Sequence, residues 1–217
     1  DGCLYICDMY REVIEHPWSL PENIKKLLDL NAGNDRGRIY RITPDGFKIR
    51  KPPQLGKATT KQLVATLASK NGWHRDTAAR LLFERQDKGA IPQLEKLIRK
   101  SPSALGRLNA LHALDGLGGL KAADLLTALN DRDPTVRAHA IKLSEKFIAA
   151  GDAALWSKVC DLRNDPDINV RYQLAFTLGE FNRPGKIEGL VAIAQRDLDS
   201  ITLERKTSVI ETYRTHE

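Results

Sequence analysis

An arginine returns at a nearly constant interval through the greater part of this chain. It stands at Arg75, Arg107, Arg137 and Arg171, with Arg205 continuing the series, at steps of 32, 30, 34 and 34 residues. The surrounding stretches align as His74-Arg75-Asp76-Thr77-Ala78, Gly106-Arg107-Leu108-Asn109-Ala110, Val136-Arg137-Ala138-His139-Ala140 and Val170-Arg171-Tyr172-Gln173-Leu174. A period of this length marks a stacked repeat architecture. It leaves room for two helices and two short turns per unit. One such unit cannot bury its apolar face alone, so the units must share one extended core.

Apolar spacing agrees. From Thr59 onward apolar residues recur three and four apart: Leu63 and Leu67; Ala78, Leu81 and Leu82; Ile91, Leu94, Leu97 and Ile98; then Leu105, Leu108, Leu111 and Leu114. Later sets include Val136, Ala140, Leu143 and Phe147, then Val170, Leu174, Leu178 and Phe181, and finally Leu203, Ile210 and Tyr213. This spacing predicts about ten short amphipathic helices. Trp73 and Trp156 read as packing residues on them.

Two units are especially plain, Asp131-Arg-Asp-Pro-Thr-Val-Arg137 and Asn164-Asp-Pro-Asp-Ile-Asn-Val-Arg171. This Asp-Pro…Val-Arg signature resembles HEAT repeats, and the resemblance covers roughly residues 59–215. Proline suits the first helical turn, where its missing N–H is no loss. Asp133, or Asp165, is placed to cap the helix start. Arg137 and Arg171 sit one turn inside, ready to pair with an aspartate of their own or a neighbouring repeat. The ladder so read is Asp133, Arg137, Asp167 and Arg171. The expected fold is mainly α, a HEAT-type α-solenoid of about five helical pairs over 59–217, preceded by a linker at 51–58 and a small β remnant over 1–50.

That remnant does not follow the repeat. Leu4–Tyr10 and Arg38–Ile42 alternate apolar and polar positions as strands do. Between them lies a proline-punctuated excursion of about 27 residues, far longer than a hairpin loop. Two strands do not make an independently stable sheet. The segment therefore reads as the edge of something larger.

Charge is uneven. Residues 51–100 carry 11 basic and 4 acidic side chains, whereas residues 1–50 carry 8 of each. The eleven, from Lys51 through Lys61 and Lys96 to Lys100, read as a solvated helix surface, with an acidic-partner or nucleic-acid site as the alternative. Cys3, Cys7 and Cys160 form no Cys-x-x-Cys pair and read as small buried hydrophobes. His74, His112, His139 and His216 show no metal-ligand spacing. No apolar run is long enough to span a bilayer. The chain begins Asp1-Gly2 without methionine, so any leader is expected upstream.

Two strings in the first fifty residues, Asp8-Met-Tyr-Arg-Glu-Val-Ile-Glu-His-Pro17 and Gly33-Asn-Asp-Arg-Gly-Arg-Ile-Tyr-Arg-Ile42, resemble the final β-propeller blade of the bacterial PVC-type haem-binding proteins, also labelled membrane-bound dehydrogenase domain proteins. Asn71-Gly-Trp-His-Arg-Asp-Thr-Ala-Ala-Arg-Leu-Leu82 and Arg107-Leu-Asn-Ala-Leu-His-Ala-Leu-Asp-Gly-Leu117 resemble that family's first HEAT repeats. The resemblance implies a parent oxidoreductase, a sugar or alcohol dehydrogenase, with a propeller similar to that of soluble quinoprotein enzymes and a following cytochrome c domain. Pyrroloquinoline quinone, calcium and haem c would belong to that parent. The missing blades and the cytochrome domain would be this chain's partners, with a further protein partner on the solenoid face. Export to the periplasm follows from the resemblance alone.

The chain has neither earlier blades nor a Cys-x-x-Cys-His haem site, so it is expected to be a non-catalytic scaffold with no cofactor of its own. One alternative is a fragment keeping part of a site in the excursion. Arg11, His16, Arg36 and Arg38 would then meet an anionic cofactor or substrate, and Asp8 and Asp35 would hold a cation such as calcium. The structural alternative pairs Arg11 with Glu15 and Asp35 with Arg36, and makes His16-Pro17-Trp18 a packing plug over the blade edge. A second alternative is a HEAT-like nucleic-acid binder using the basic stretch 51–100.

Overall fold

The computed structural model describes residues 3–14, 16–48 and 51–198. The chain separates into two compact units, the first ending at Pro53 and the second beginning at Gln54.

In the first unit, β1 (Leu4–Asp8) pairs antiparallel with β2 (Arg38–Ile42), with Leu4 opposite Ile42 and Asp8 opposite Arg38. β1 stops two residues short of the expected Tyr10. The Asp8 carboxylate accepts a hydrogen bond from Tyr10 N at 2.9 Å, and Tyr10 turns left-handed at φ 51°. An aspartate closing such a turn on the backbone two residues ahead competes directly with strand pairing. The excursion holds a 3-10 turn at Pro17–Ser19 and the one-turn α1 (Glu22–Lys25).

Gly33 closes the excursion against Tyr10. At φ +74°, with the Tyr10 carbonyl oxygen 1.8 Å from where a Cβ would stand, only glycine fits.

The second unit is a two-row helical stack. Its pairs are α2 (Thr60–Thr66) with α3 (Gly72–Arg85), α4 (Ile91–Lys100) with α5 (Ala104–Gly116), α6 (Ala122–Ala128) with α7 (Pro134–Ala149), and α8 (Ala153–Asp161) with α9 (Ile168–Glu180). Residues 186–198 form a further helix. α2, α4, α6 and α8 pack in sequence along one row, and α3, α5, α7 and α9 along the other. Among the described residues the main helix contacts fall within a pair or between adjacent pairs, as a solenoid requires. The linker is shorter than expected, because Leu55 is already buried in a 3-10 turn at Leu55–Lys57.

One polar motif sets the start of every second helix. Asn71, Ser103, Asp133 and Asp167 cap α3, α5, α7 and α9 by accepting from a backbone N–H in the first turn. Two residues earlier, Ser69, Ser101, Asp131 and Asp165 each accept the N–H of the cap residue itself, at 2.8–3.2 Å. The recurring arginine, four residues after the cap, donates back from Nη1 to the carbonyl of that same residue, at 2.7–2.8 Å. Cap, turn and arginine thus fix the bend between the two helices of a pair.

This register corrects the expected ladder. Asp133 and Asp167 are caps, while the carboxylates that meet the arginines are Asp131, Asp165 and Asp197. Arg107 grips Asp131 with two hydrogen bonds at 2.5 and 2.7 Å, and Arg137 grips Asp165 with two at 2.7 Å. Arg171 reaches Asp197. Every rung joins consecutive repeats. The two Asp-Pro pairs are also not equivalent. Pro134 is the first residue of α7, but Pro166 precedes the cap of α9, so Asp165 is a ladder residue and not a cap. Arg205 lies outside the described residues.

Other expectations are corrected by exposure. Trp73 is 66% exposed and Trp18 90% exposed, so neither packs as expected. Trp156 is buried, its indole N–H donating to Pro184 O at 2.9 Å. Cys7 is exposed because both faces of the two-stranded ribbon are open, while Cys3 and Cys160 are half-buried. Burial raises the Cys160 thiol pKa.

Candidate functional site

The excursion gathers some of its predicted residues around one aromatic ring. The Arg38 guanidinium lies 4.3 Å from the Tyr10 ring centroid and that of Arg36 5.9 Å. Both are within range of a cation–π contact. Arg11 donates to Leu30 O, which ties the start of the excursion to its later part, and among the described residues its Nε is buried without a partner. Tyr10, Arg11, Arg36 and Gly33 line an open concavity of about 610 Å³, together with the acidic Glu12 and Asp29.

The remaining candidates serve local structure. His16 Nδ1 accepts from Trp18 N at 3.2 Å and caps the 3-10 turn. Asp8 is committed to Tyr10 N, and Asp35 forms a loose, exposed pair with Arg36 at 3.9 Å. Among the described residues no three His, Cys, Asp or Glu side chains gather closely enough to hold a metal ion. The alternative Arg11–Glu15 pair lies outside the described residues.

The solenoid brings together two histidines that look scattered in sequence. His112 on α5 and His139 on α7 meet across adjacent repeats, Nε2 to Nδ1 at 3.0 Å, with rings nearly perpendicular. Burial, and then His139, hold the His112 pKa below its ordinary value. Their separation of 27 residues falls short of the repeat interval, because His112 lies five residues past its repeat arginine and His139 only two past its own. Aligned on their arginines the two stand three positions apart, a spacing that keeps both on one helix face, and this is the signal the sequence offers.

The ladder carboxylates are held ionised. Burial alone would raise Asp131 and Asp165. The hydrogen bonds from Arg107 and Arg137, joined by those from the Asp133 and Asp167 backbone, leave both pKa values lowered. Arg107 and Arg137 are raised in return, first by those same hydrogen bonds. These groups are structural, since their oxygens are occupied by their own rungs.

With this geometry the comparisons with known families agree. Residues 60–145 match the family of HEAT repeats. Residues 1–46 match a domain of unknown function, DUF7133. No curated protein matches the sequence. The boundary between the matched regions falls where the two compact units divide. No helix among the described residues is long and apolar enough to cross a membrane.

Proposed function

We propose that this chain is a non-catalytic scaffold, a HEAT-repeat docking module attached to the closing β-element of a larger bacterial oxidoreductase. HEAT repeats suit protein interaction, because a stack of helix pairs offers a long continuous surface. The observation that carries the larger reading is the ribbon. β1 and β2 expose Leu4, Tyr5, Ile6, Ile39, Tyr40 and Ile42, each at least 43% accessible. Two bare strands with apolar faces are a sheet that needs further strands. Propeller blades supply such strands, and a cytochrome c domain after the solenoid would receive electrons. In this reading the quinone, calcium and haem belong to the parent, which is exported to the periplasm.

The flanking coding sequence tests the parent. Upstream propeller blades and a downstream Cys-x-x-Cys-His site support it; a coding sequence with neither removes it.

One observation favours a second reading, in which the excursion keeps part of an anionic cofactor site. The buried, unpartnered Nε of Arg11 beside the concavity is a donor that an anion would satisfy. Calcium is less well served, because Asp8 is engaged by Tyr10 N and Asp35 stands apart in solvent. Titrating pyrroloquinoline quinone into the chain, followed by absorbance, separates the readings. Stoichiometric binding lost in Arg11→Met supports the partial site; no spectral change leaves the scaffold.

A further inference from the structure

Where α2 and α4 pack side by side, they leave a groove of about 600 Å³. Its floor is apolar, formed by Val64, Ala65 and Leu97, and its rim is cationic, formed by Lys61, Lys96 and Lys100. Val64 is buried, Leu97 half-buried and Ala65 exposed, so the floor is the outer skin of the core.

Three lysines elsewhere on the solenoid have their charge offset by a carboxylate, and among the described residues the rim lysines do not. Lys121 pairs with Glu95, Lys142 with Glu145 and Lys146 with Asp115. Among the described residues no carboxylate lies within ion-pair distance of Lys61, Lys96 or Lys100. The nearby acids are taken: Glu95 meets Lys121 at 2.7 Å and Arg99 at 3.9 Å, and Asp124 lies 4.0 Å from Arg99. Lys100 also borders a second hollow of about 520 Å³, which carries Arg99 and Arg132. The positive rim therefore continues toward α6.

We propose that the groove between α2 and α4 docks an acidic peptide segment of a partner protein, anchored by apolar side chains on the Val64–Ala65–Leu97 floor. This inference rests on the scaffold reading and gives it a site and a partner chemistry. Apolar anchors at i, i+3 and i+4 on a helix fit such a groove, and carboxylates flanking them meet the lysines. Nucleic acid fits less well. Single strands are held by aromatic stacking platforms, and the exposed Trp73, Phe83, Tyr172 and Phe176 all lie on α3 and α9 in the other row. A phosphate chain would meet three lysines around an apolar floor with few donors.

The test uses the full chain and a fluorescein-labelled helical peptide with Leu at i, i+3, i+4 positions and Glu elsewhere, read by anisotropy at about 0.15 M salt. Micromolar binding is expected. Lys96→Glu with Lys100→Glu should weaken it at least about tenfold by turning attraction into repulsion. Ala65→Trp, which keeps every charge and fills the floor, should weaken it comparably. Circular dichroism confirms that both variants fold.

The proposal is overturned by any of four outcomes. These are no peptide binding, equal binding of a peptide with every Leu replaced by Ser, indifference to Ala65→Trp, or a labelled DNA duplex that binds more tightly than the peptide at this salt. None of these touches the flanking-sequence test, so the groove can fail while the scaffold reading stands.

Discussion

Arg137 and Asp165 show what one residue pair contributes to a stacked fold. Asp165 is buried, accepts two hydrogen bonds from Arg137 and holds the N–H of Asp167, so it bridges α7 and the turn before α9. Removing one partner of such a pair leaves the other charge buried and uncompensated. Asp165→Ala should therefore cost about 3–5 kcal/mol in urea unfolding. Adding Arg137→Met should recover part of that loss, and the double-mutant cycle gives the coupling. The same rung sets the acid limit. Because the folded carboxyls of Asp131 and Asp165 titrate below their ordinary value near 3.9, the unfolded chain takes up those protons first. Stability from these rungs is present above pH about 4 and is lost as the pH falls through the lower folded values. Asp165→Ala should flatten that acid decline. An unchanged decline would show that other carboxylates govern it.

At the scale of elements, helix contacts set the next two outcomes. Gly106 lies inside α5, where Ala would be favoured by about 1 kcal/mol of helix propensity. An added Cβ would stand 2.9 Å from the Ala68 Cβ and 3.3 Å from its Cα, at the end of α2. Overpacking of that kind costs about 1–3 kcal/mol, so Gly106→Ala should lower the urea midpoint in spite of its propensity gain. A raised midpoint would mean that the two helices move apart freely. Between α5 and α7, the His112–His139 contact should make stability depend on pH near neutrality. The folded His112 titrates below its ordinary 6.5, so the unfolded chain binds the proton first and stability falls as the pH drops below that value. Asp115, which favours protonation of His112, is itself engaged by Lys146. Comparing urea midpoints at pH about 7.5 and about 5.5 tests this; His112→Gln should remove the part of the difference that belongs to this contact.

These elements also mark what could be read from sequence. The arginine interval and the three-four spacing of Leu94, Ile98, Leu111 and Leu114 were enough for the helix pairs, because backbone and core obey the same period. Which aspartate caps and which crosses to the neighbour was not legible. Asp131-x-Asp133 and Asp165-x-Asp167 offer both residues with identical chemistry, and only the three-dimensional bend assigns them. Prolines misled for the same reason, since Pro134 and Pro166 occupy different steps of that bend. In the excursion, residue types pointed to Arg11, Arg36 and Arg38, yet the convergence of Arg36 and Arg38 on Tyr10 depends on a left-handed tyrosine that no pattern announces.

On the scale of the molecule, burial is divided as unevenly as charge. Every buried apolar side chain among the described residues lies at Leu55 or beyond, through Ile193. Among its described residues the first unit has no buried apolar side chain with which to offset the entropy of ordering its backbone, about 1–2 kcal/mol per residue. The solenoid by contrast carries a continuous core that begins at its own first turn, and its stability is close to a sum over repeats and their interfaces. Cutting the chain between Pro53 and Gln54 should therefore give two unlike products. The piece from Gln54 onward should keep its helical circular dichroism and a cooperative thermal transition within a few degrees of the whole chain, since no core side chain has been removed. The piece 1–53 alone should show the spectrum of an unfolded peptide, with no protected amides in β1 or β2 by hydrogen exchange. Folding of that piece by itself would contradict the view that its ribbon needs added strands. A collapse of the solenoid piece would show that the first unit supplies stability that burial does not reveal.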